Sequence, residues 1–188
     1  MQKKISKNNE DILNTVEPLK AGEYIEYGNP QYQFSIKYIA SLISDFSSPE
    51  SKLILGFPES FTTGTNLGTA QIRLDINKRT CANFSSGEDQ AVGWHYTKTT
   101  AIGTDFPEKI TVNGAEFRRL KCSDAAMSHV ADSLIYITEK DSNAFSLNLY
   151  LLSANPEVYD ESIRPLTYDP AGMEKIFLQV LSSFKFKE

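Results

Sequence analysis

The sequence contains two histidines and two cysteines, and their spacing limits the chemistry that the chain can perform. His95 and His129 lie far apart, so a histidine metal site would also need carboxylates from distant segments. The serine-hydrolase motif G-x-S-x-G and the zinc-protease motif H-E-x-x-H are absent. A nucleophile pair of Cys122 and His129 would require one helix through both residues. We therefore predict no catalytic residue, no metal and no cofactor, with an enzyme using a His/Cys site in residues 80–108 as the alternative.

The two cysteines could instead be structural. Cys81 and Cys122 do not form the C-x-x-C pair that is typical of zinc and thioredoxin-like sites. In an oxidising compartment they can form one disulfide, which stabilises a fold by roughly 4 kcal/mol in the chain-entropy model. Two buried free thiols are the alternative.

Residues 80–108 form the longest stretch without periodicity, and a loop of this length is usually either functional or poorly ordered. It holds Trp94, His95 and Tyr96, the only tryptophan of the chain among them. Aromatic side chains with polar tips are favoured at binding sites, so we take these three residues as the candidate binding residues. The alternative is that Trp94 fills one edge of the core.

The acidic residues of the C-terminal half do not follow a calcium-binding pattern. The EF-hand spacing D-x-[DN]-x-[DN]-G is absent, so we predict that these acids are solvated. They are Glu139, Asp141, Glu157, Asp160, Glu161 and Asp169.

Composition indicates one folded domain and excludes two classes of partner. The 188 residues are 40% hydrophobic, which is enough for one core, and we predict a single domain over residues 23–188 after a flexible tail at residues 1–22. The formal net charge is -5 and no dense Lys/Arg cluster occurs, which argues against nucleic acid as a partner. No run of eighteen apolar residues is present, so we predict no transmembrane segment.

Alternating apolar and polar residues predict several antiparallel strands. Residues 32–38 and 69–77 alternate strictly, and Asn113-Gly114 is a strong hairpin turn. Residues 123–130 are predicted as a short helix, capped by Ser123 and carrying His129 at its surface. Further strands are predicted at residues 52–57, 132–138 and 144–152.

The C-terminus is predicted to form a helix at residues 170–183. Asp169 suits the N-cap and Pro170 the first turn. Apolar residues recur at helical spacing from Met173 to Phe184, so this helix should pack across one face of the sheet. The predicted fold class is α+β, with a central antiparallel β-sheet flanked by helices.

Several segments together resemble the Mog1/PsbP-like group, and more narrowly exported bacterial proteins of that fold, many of them lipoproteins. The segments are Y-Q-F-S-I-K-Y at 32–38, N-G-A-E-F at 113–117, S-D-A-A-M-S-H at 123–129, S-L-I-Y-I-T at 133–138 and L-S-S-F-K-F at 181–186. The resemblance covers residues 24–186 and departs from the family pattern at Ile39, where a proline commonly follows the tyrosine. It implies a protein that works mainly by binding.

We therefore expect a non-catalytic binding or accessory module of the bacterial cell envelope, with an unknown protein partner. Met1 would then stand in place of a removed export signal, with which a lipid anchor would also be lost. A complete cytosolic protein, such as an adaptor resembling Mog1, is the alternative.

Overall fold

A computed structural model describes residues 23–45, 53–77, 108–126 and 128–187. Within these residues ten strands form two antiparallel sheets, and one long helix lies between the ninth and the tenth strand in the chain. The elements are β1 (Tyr24–Asn29), β2 (Phe34–Ile39), β3 (Ile43–Asp45), β4 (Leu53–Gly56), β5 (Leu67–Ile76), β6 (Glu108–Val112), β7 (Ala115–Ala126), β8 (His129–Lys140), β9 (Asn143–Ala154), α1 (Pro170–Ser182) and β10 (Lys185–Phe186).

The larger sheet has seven strands in the order β3-β4-β5-β9-β8-β7-β6, and every neighbouring pair is antiparallel. A smaller sheet joins β1, β2 and β10. The strand predicted at residues 32–38 is thus β2 of the smaller sheet, and it begins at Phe34 because a turn closes the β1–β2 hairpin. Gln33 in that turn has a φ of 49°, which is incompatible with a strand.

Helix α1 begins and ends as the sequence predicts, to within one residue. The Asp169 carboxylate accepts hydrogen bonds from the amides of Ala171 (3.0 Å) and Gly172 (3.2 Å), two of the donors that a helix leaves unpaired at its start. At the other end, the Ser183 hydroxyl accepts from the amide of Lys37 at 2.7 Å, which joins the end of the helix to β2.

The turn at Asn113-Gly114 connects β6 to β7, as predicted. Its two residues have φ values of 47° and 83°, the left-handed backbone that a type I′ hairpin requires. Asn113 also stabilises the end of the helix, because its side-chain amide donates to the carbonyls of Ser182 and Phe184, each at 2.8 Å. One residue therefore serves the hairpin and the helix end.

The main core lies between the seven-stranded sheet on one side and α1 with the smaller sheet on the other. Phe184 is fully buried and stacks on Phe34 of β2 with ring centroids 5.5 Å apart. On α1, Phe177 packs against Tyr136 of β8 at 5.7 Å. The buried residues of α1 are Met173, Phe177, Leu178, Val180 and Leu181. The predicted α+β class, with the C-terminal helix packed across one face of an antiparallel sheet, is confirmed.

The short helix predicted at residues 123–130 is wrong, and Ser123 is not a helix cap. Strand β7 continues to Ala126 and β8 begins at His129, so the segment is the tip of a long hairpin. Continuous backbone pairing between two twelve-residue strands outweighs the weak helical preference of an alanine-rich segment. The predicted tail at residues 1–22 lies outside the described residues and stays a prediction.

Candidate binding surface

The chain between β9 and α1, residues 155–169, is irregular in shape but held by backbone hydrogen bonds. We call it the exposed connection. It contains two short 3₁₀ turns, Pro156–Val158 and Glu161–Ile163. The amide of Asn155 donates to the carbonyl of Ser128 at 2.7 Å, and the Asn155 side chain accepts from the amide of Glu157 at 3.0 Å. The connection therefore starts from a fixed point beside the β7–β8 hairpin.

Asn66 fixes the other half of the connection from inside the protein. Its side chain is 7% exposed, donates to the Ala154 carbonyl at 2.8 Å and accepts from the Tyr168 amide at 3.1 Å. Its backbone amide donates to the Leu166 carbonyl at 2.8 Å. A buried asparagine with its side-chain groups paired is a specific, directional link. It joins the end of β9 to the segment that leads into α1.

Three large aliphatic side chains of the connection point into solvent despite its fixed backbone. Val158 is 53% exposed, Ile163 is 67% exposed and Leu166 is 74% exposed. Ile25 (43% exposed) and Ile43 (64% exposed) are the other exposed large hydrophobic residues among those described, and they lie on two different edge strands, β1 and β3. Exposed apolar side chains gathered in one segment are typical of an interaction site.

Acidic side chains alternate with these apolar ones. Glu157, Asp160 and Glu161 are exposed, as the sequence predicts, and no ion pair within the described residues neutralises them. Arg164 is the one basic residue of the connection. The surface is therefore apolar and acidic at once.

A small cleft of about 200 Å³ lies beside the connection, between its last residues and strands β7, β8 and β9. Tyr168 forms one wall and donates a long hydrogen bond, 3.4 Å, to the carboxylate of Asp132. Partial burial, together with the negative charge of Asp132, raises the pKa of Tyr168 to about 12, so the hydroxyl keeps its proton further into the alkaline range. Arg119 and Glu174 form an ion pair at 3.6 Å in the same cleft.

A larger cleft of about 460 Å³ lies next to the β6–β7 turn. Two of its lining residues already have structural roles: Asn113 stabilises the end of α1, and Lys140 donates to the Lys187 carbonyl at 3.1 Å while lying over the ring of Phe186. Tyr168 of the connection lines the smaller cleft, so we take the connection and that cleft together as the candidate surface.

The residues that the sequence singled out are not brought together in the described part of the chain. Trp94, His95, Tyr96 and Cys81 lie outside the described residues, so the recognition loop and the disulfide stay predictions. Cys122 is 4% exposed and packs with Ile135 and Ile137 on the sheet face opposite α1.

The geometry of the β7–β8 hairpin argues against a nucleophile pair of Cys122 and His129. The helix that would have aligned them is absent, because both residues lie on the β7–β8 hairpin. His129 pairs with Ala126, four residues along β7 from Cys122, which corresponds to about 13 Å at the rise of a β-strand. His129 is exposed, and its ring lies 3.3 Å from the Ser128 hydroxyl.

The described residues hold no group of three His, Cys, Asp or Glu side chains that could bind a metal ion. None of the helices in the described part of the chain is long and apolar enough to cross a membrane.

No protein-family model and no curated protein matches the sequence. The structure is similar to the solution structure of cyanobacterial PsbP (CyanoP) from Synechocystis sp. PCC 6803, with a TM-score of 0.49 and 14% identity over 89% of this chain and 95% of that chain. It is also similar to a crystal structure from Bacteroides thetaiotaomicron VPI-5482, with a TM-score of 0.49 and 12% identity over 88% of this chain. The chain spans about half, 49%, of that Bacteroides protein.

Both likenesses concern fold and neither identifies a function. The α+β class rests on the strand order and the position of α1. The Mog1 part of the sequence resemblance and the lipoprotein status stay predictions.

Proposed function

We propose that the chain is a non-catalytic binding module that docks a protein partner on the exposed connection. The observation that carries this proposal is the combination of exposure and order in one segment. Ile163 and Leu166 are more than 60% exposed, yet the Ile163 amide donates to the Asp160 carbonyl at 3.0 Å and the Leu166 carbonyl accepts from Asn66 at 2.8 Å. Apolar side chains that are held in contact with solvent contribute little to the stability of the fold, but they suit a partner.

The energetics favour docking at this surface. Burying a large aliphatic side chain stabilises a complex by about 1.5–3 kcal/mol relative to leaving it in water. A binding segment that is already ordered loses little conformational entropy when the partner arrives. Three such side chains, Val158, Ile163 and Leu166, on a hydrogen-bonded segment can therefore act as anchors of a modest interface.

We further propose that the module acts in the bacterial cell envelope as an exported protein, with a lipid anchor as one means of attachment. The sequence resemblance to exported proteins supports this location. A disulfide between Cys81 and Cys122, which an oxidising compartment would form, is part of the same proposal. A cytosolic adaptor would keep both thiols reduced, so the state of the cysteines separates the two locations.

Quantitative affinity capture from an envelope extract of the producing bacterium tests the docking site. The baits are the unchanged chain, the double variant Ile163→Ser/Leu166→Ser and the control Ile43→Ser. The control removes an apolar side chain that is 64% exposed on β3, outside the connection. We expect one or more proteins to be recovered about tenfold less by the double variant, and equally by the control. Equal recovery by all three baits contradicts docking on the connection.

A further inference from the structure

We infer that the partner presents a basic, apolar segment, with Lys or Arg side chains adjacent to large apolar ones. This inference rests on the proposed function, because it concerns the same exposed connection and specifies the chemistry of what docks there. It follows from the distribution of charge among the exposed apolar residues.

The charge of the connection is concentrated where its apolar side chains are exposed. Between residues 157 and 164 there are three carboxylates, on Glu157, Asp160 and Glu161, and one guanidinium, on Arg164, which gives a net charge of -2. All four side chains are exposed. A partner that covers the neighbouring apolar side chains must come close to these carboxylates, so it has to supply opposite charge or leave them partly desolvated.

The same charges argue against other occupants. Anionic lipid headgroups and nucleic-acid phosphates would be repelled by the three carboxylates. A second copy of this chain, docked through a two-fold axis, would place the same acidic surface against itself, and like charges in contact oppose such a dimer. A cationic protein segment is the occupant that satisfies the apolar and the acidic side chains together.

Attraction between exposed charges is screened by salt, with a Debye length of about 10 Å at 0.1 M ionic strength. Binding of a basic apolar segment should therefore weaken as salt rises, while the apolar contribution remains. An occupant held by apolar contact alone would not show this dependence.

A displayed library of random peptides, selected on the immobilised full chain, provides the probe. We expect the selected peptides to be enriched in Lys or Arg together with large apolar residues. Synthetic copies should bind about tenfold more weakly to the Ile163→Ser/Leu166→Ser variant. They should also bind several-fold more weakly to the triple variant Glu157→Gln/Asp160→Asn/Glu161→Gln, and more weakly at high salt.

The matched control is Glu23→Gln/Glu26→Gln/Asp141→Asn, which makes the same change in net charge at exposed acids elsewhere. Its peptide binding should equal that of the unchanged chain. Circular dichroism of each variant verifies the fold.

The outcomes separate the two proposals. The selected peptides could instead be neutral or acidic, bind weakly to the Ile163→Ser/Leu166→Ser variant and bind normally to the triple variant that lacks the three carboxylates. That result contradicts a basic partner but agrees with the docking site. Peptides indifferent to both sets of variants, or no enrichment above the bare support, contradict both proposals. Binding to phosphatidylglycerol vesicles through Ile163 and Leu166 would replace the protein partner by a lipid surface and overturn the inference.

Discussion

Replacing Asn66 with alanine should destabilise the protein and weaken binding of the proposed partner, although Asn66 is 7% exposed and lies beneath the candidate surface. The substitution removes two hydrogen bonds, to the Ala154 carbonyl and from the Tyr168 amide. Leaving a buried polar group without its partner costs about 1–3 kcal/mol, so the free energy of unfolding should fall by roughly 2–4 kcal/mol. For a chain of this size that corresponds to a fall in Tm of roughly 5–15 °C.

Thermal and urea unfolding measure the stability change, and hydrogen exchange at the Tyr168 amide measures its local part. That amide should exchange at least about tenfold faster in Asn66→Ala, because its acceptor is gone. Partner binding should weaken as well, since the Leu166 side chain is then carried on a less ordered segment.

Asn148→Ala is the matched control. Asn148 is 6% exposed, and its side-chain oxygen has no hydrogen-bond partner among the described residues. Its replacement should cost about 1 kcal/mol or less and leave partner binding unchanged. A stability loss for Asn66→Ala no larger than that of the control, with an unchanged Tyr168 exchange rate, would refute the role given to Asn66.

Three further predictions concern the helix cap, the tyrosine and the cysteines. Asp169→Ala should lower the free energy of unfolding by about 1 kcal/mol, and Asp169→Asn by much less, because asparagine caps helices as well as aspartate does; urea unfolding distinguishes them. Because the pKa of Tyr168 is raised from 10.0 to about 12, the folded state retains its proton in that range, so its contribution to stability is complete below pH 10 and is lost as the pH rises towards 12. The free energy of unfolding, measured at increasing pH, should fall less between pH 10 and pH 12 in Tyr168→Phe than in the unchanged chain. An equal fall in both proteins would contradict the raised pKa of Tyr168. In the unfolded, unreduced protein, alkylation should fail at Cys81 and Cys122 until a reductant is added; free labelling of both would contradict the disulfide and favour the cytosolic adaptor or a thiol enzyme.

The parts of the fold that the sequence predicts are those set by local signals. Asn113-Gly114 specifies a hairpin because its residues accept positive φ, and Asp169-Pro170 specifies a helix start through a carboxylate cap and a fixed φ. The helix predicted at residues 123–130 is wrong because pairing with β8 overrides local preference, and a single sequence does not show that pairing. Strand β1 is not predicted, because its sequence Y-I-E-Y-G-N does not alternate strictly between apolar and polar residues.

The candidate surface is harder to predict for a physical reason. Asn66, Asp132 and Tyr168 come from separate parts of the chain, and only the folded sheet brings them to the connection. One signal is present in the sequence: large apolar residues interspersed with acids in a proline-containing segment, at residues 156–166. Those acids are solvated, as the sequence predicts, but a single sequence does not show that the apolar side chains between them are exposed as well.

Site-specific photo-crosslinking in the source organism shows directly whether a protein docks on the connection. A photoreactive amino acid replaces Ile163 on the connection in one strain and Ile43 on β3 in another, both positions being more than 60% exposed. A docking site on the connection predicts a discrete protein adduct from position 163 that is absent from position 43. Adducts of the same protein from both positions, or none from position 163 when position 43 reacts, would contradict it.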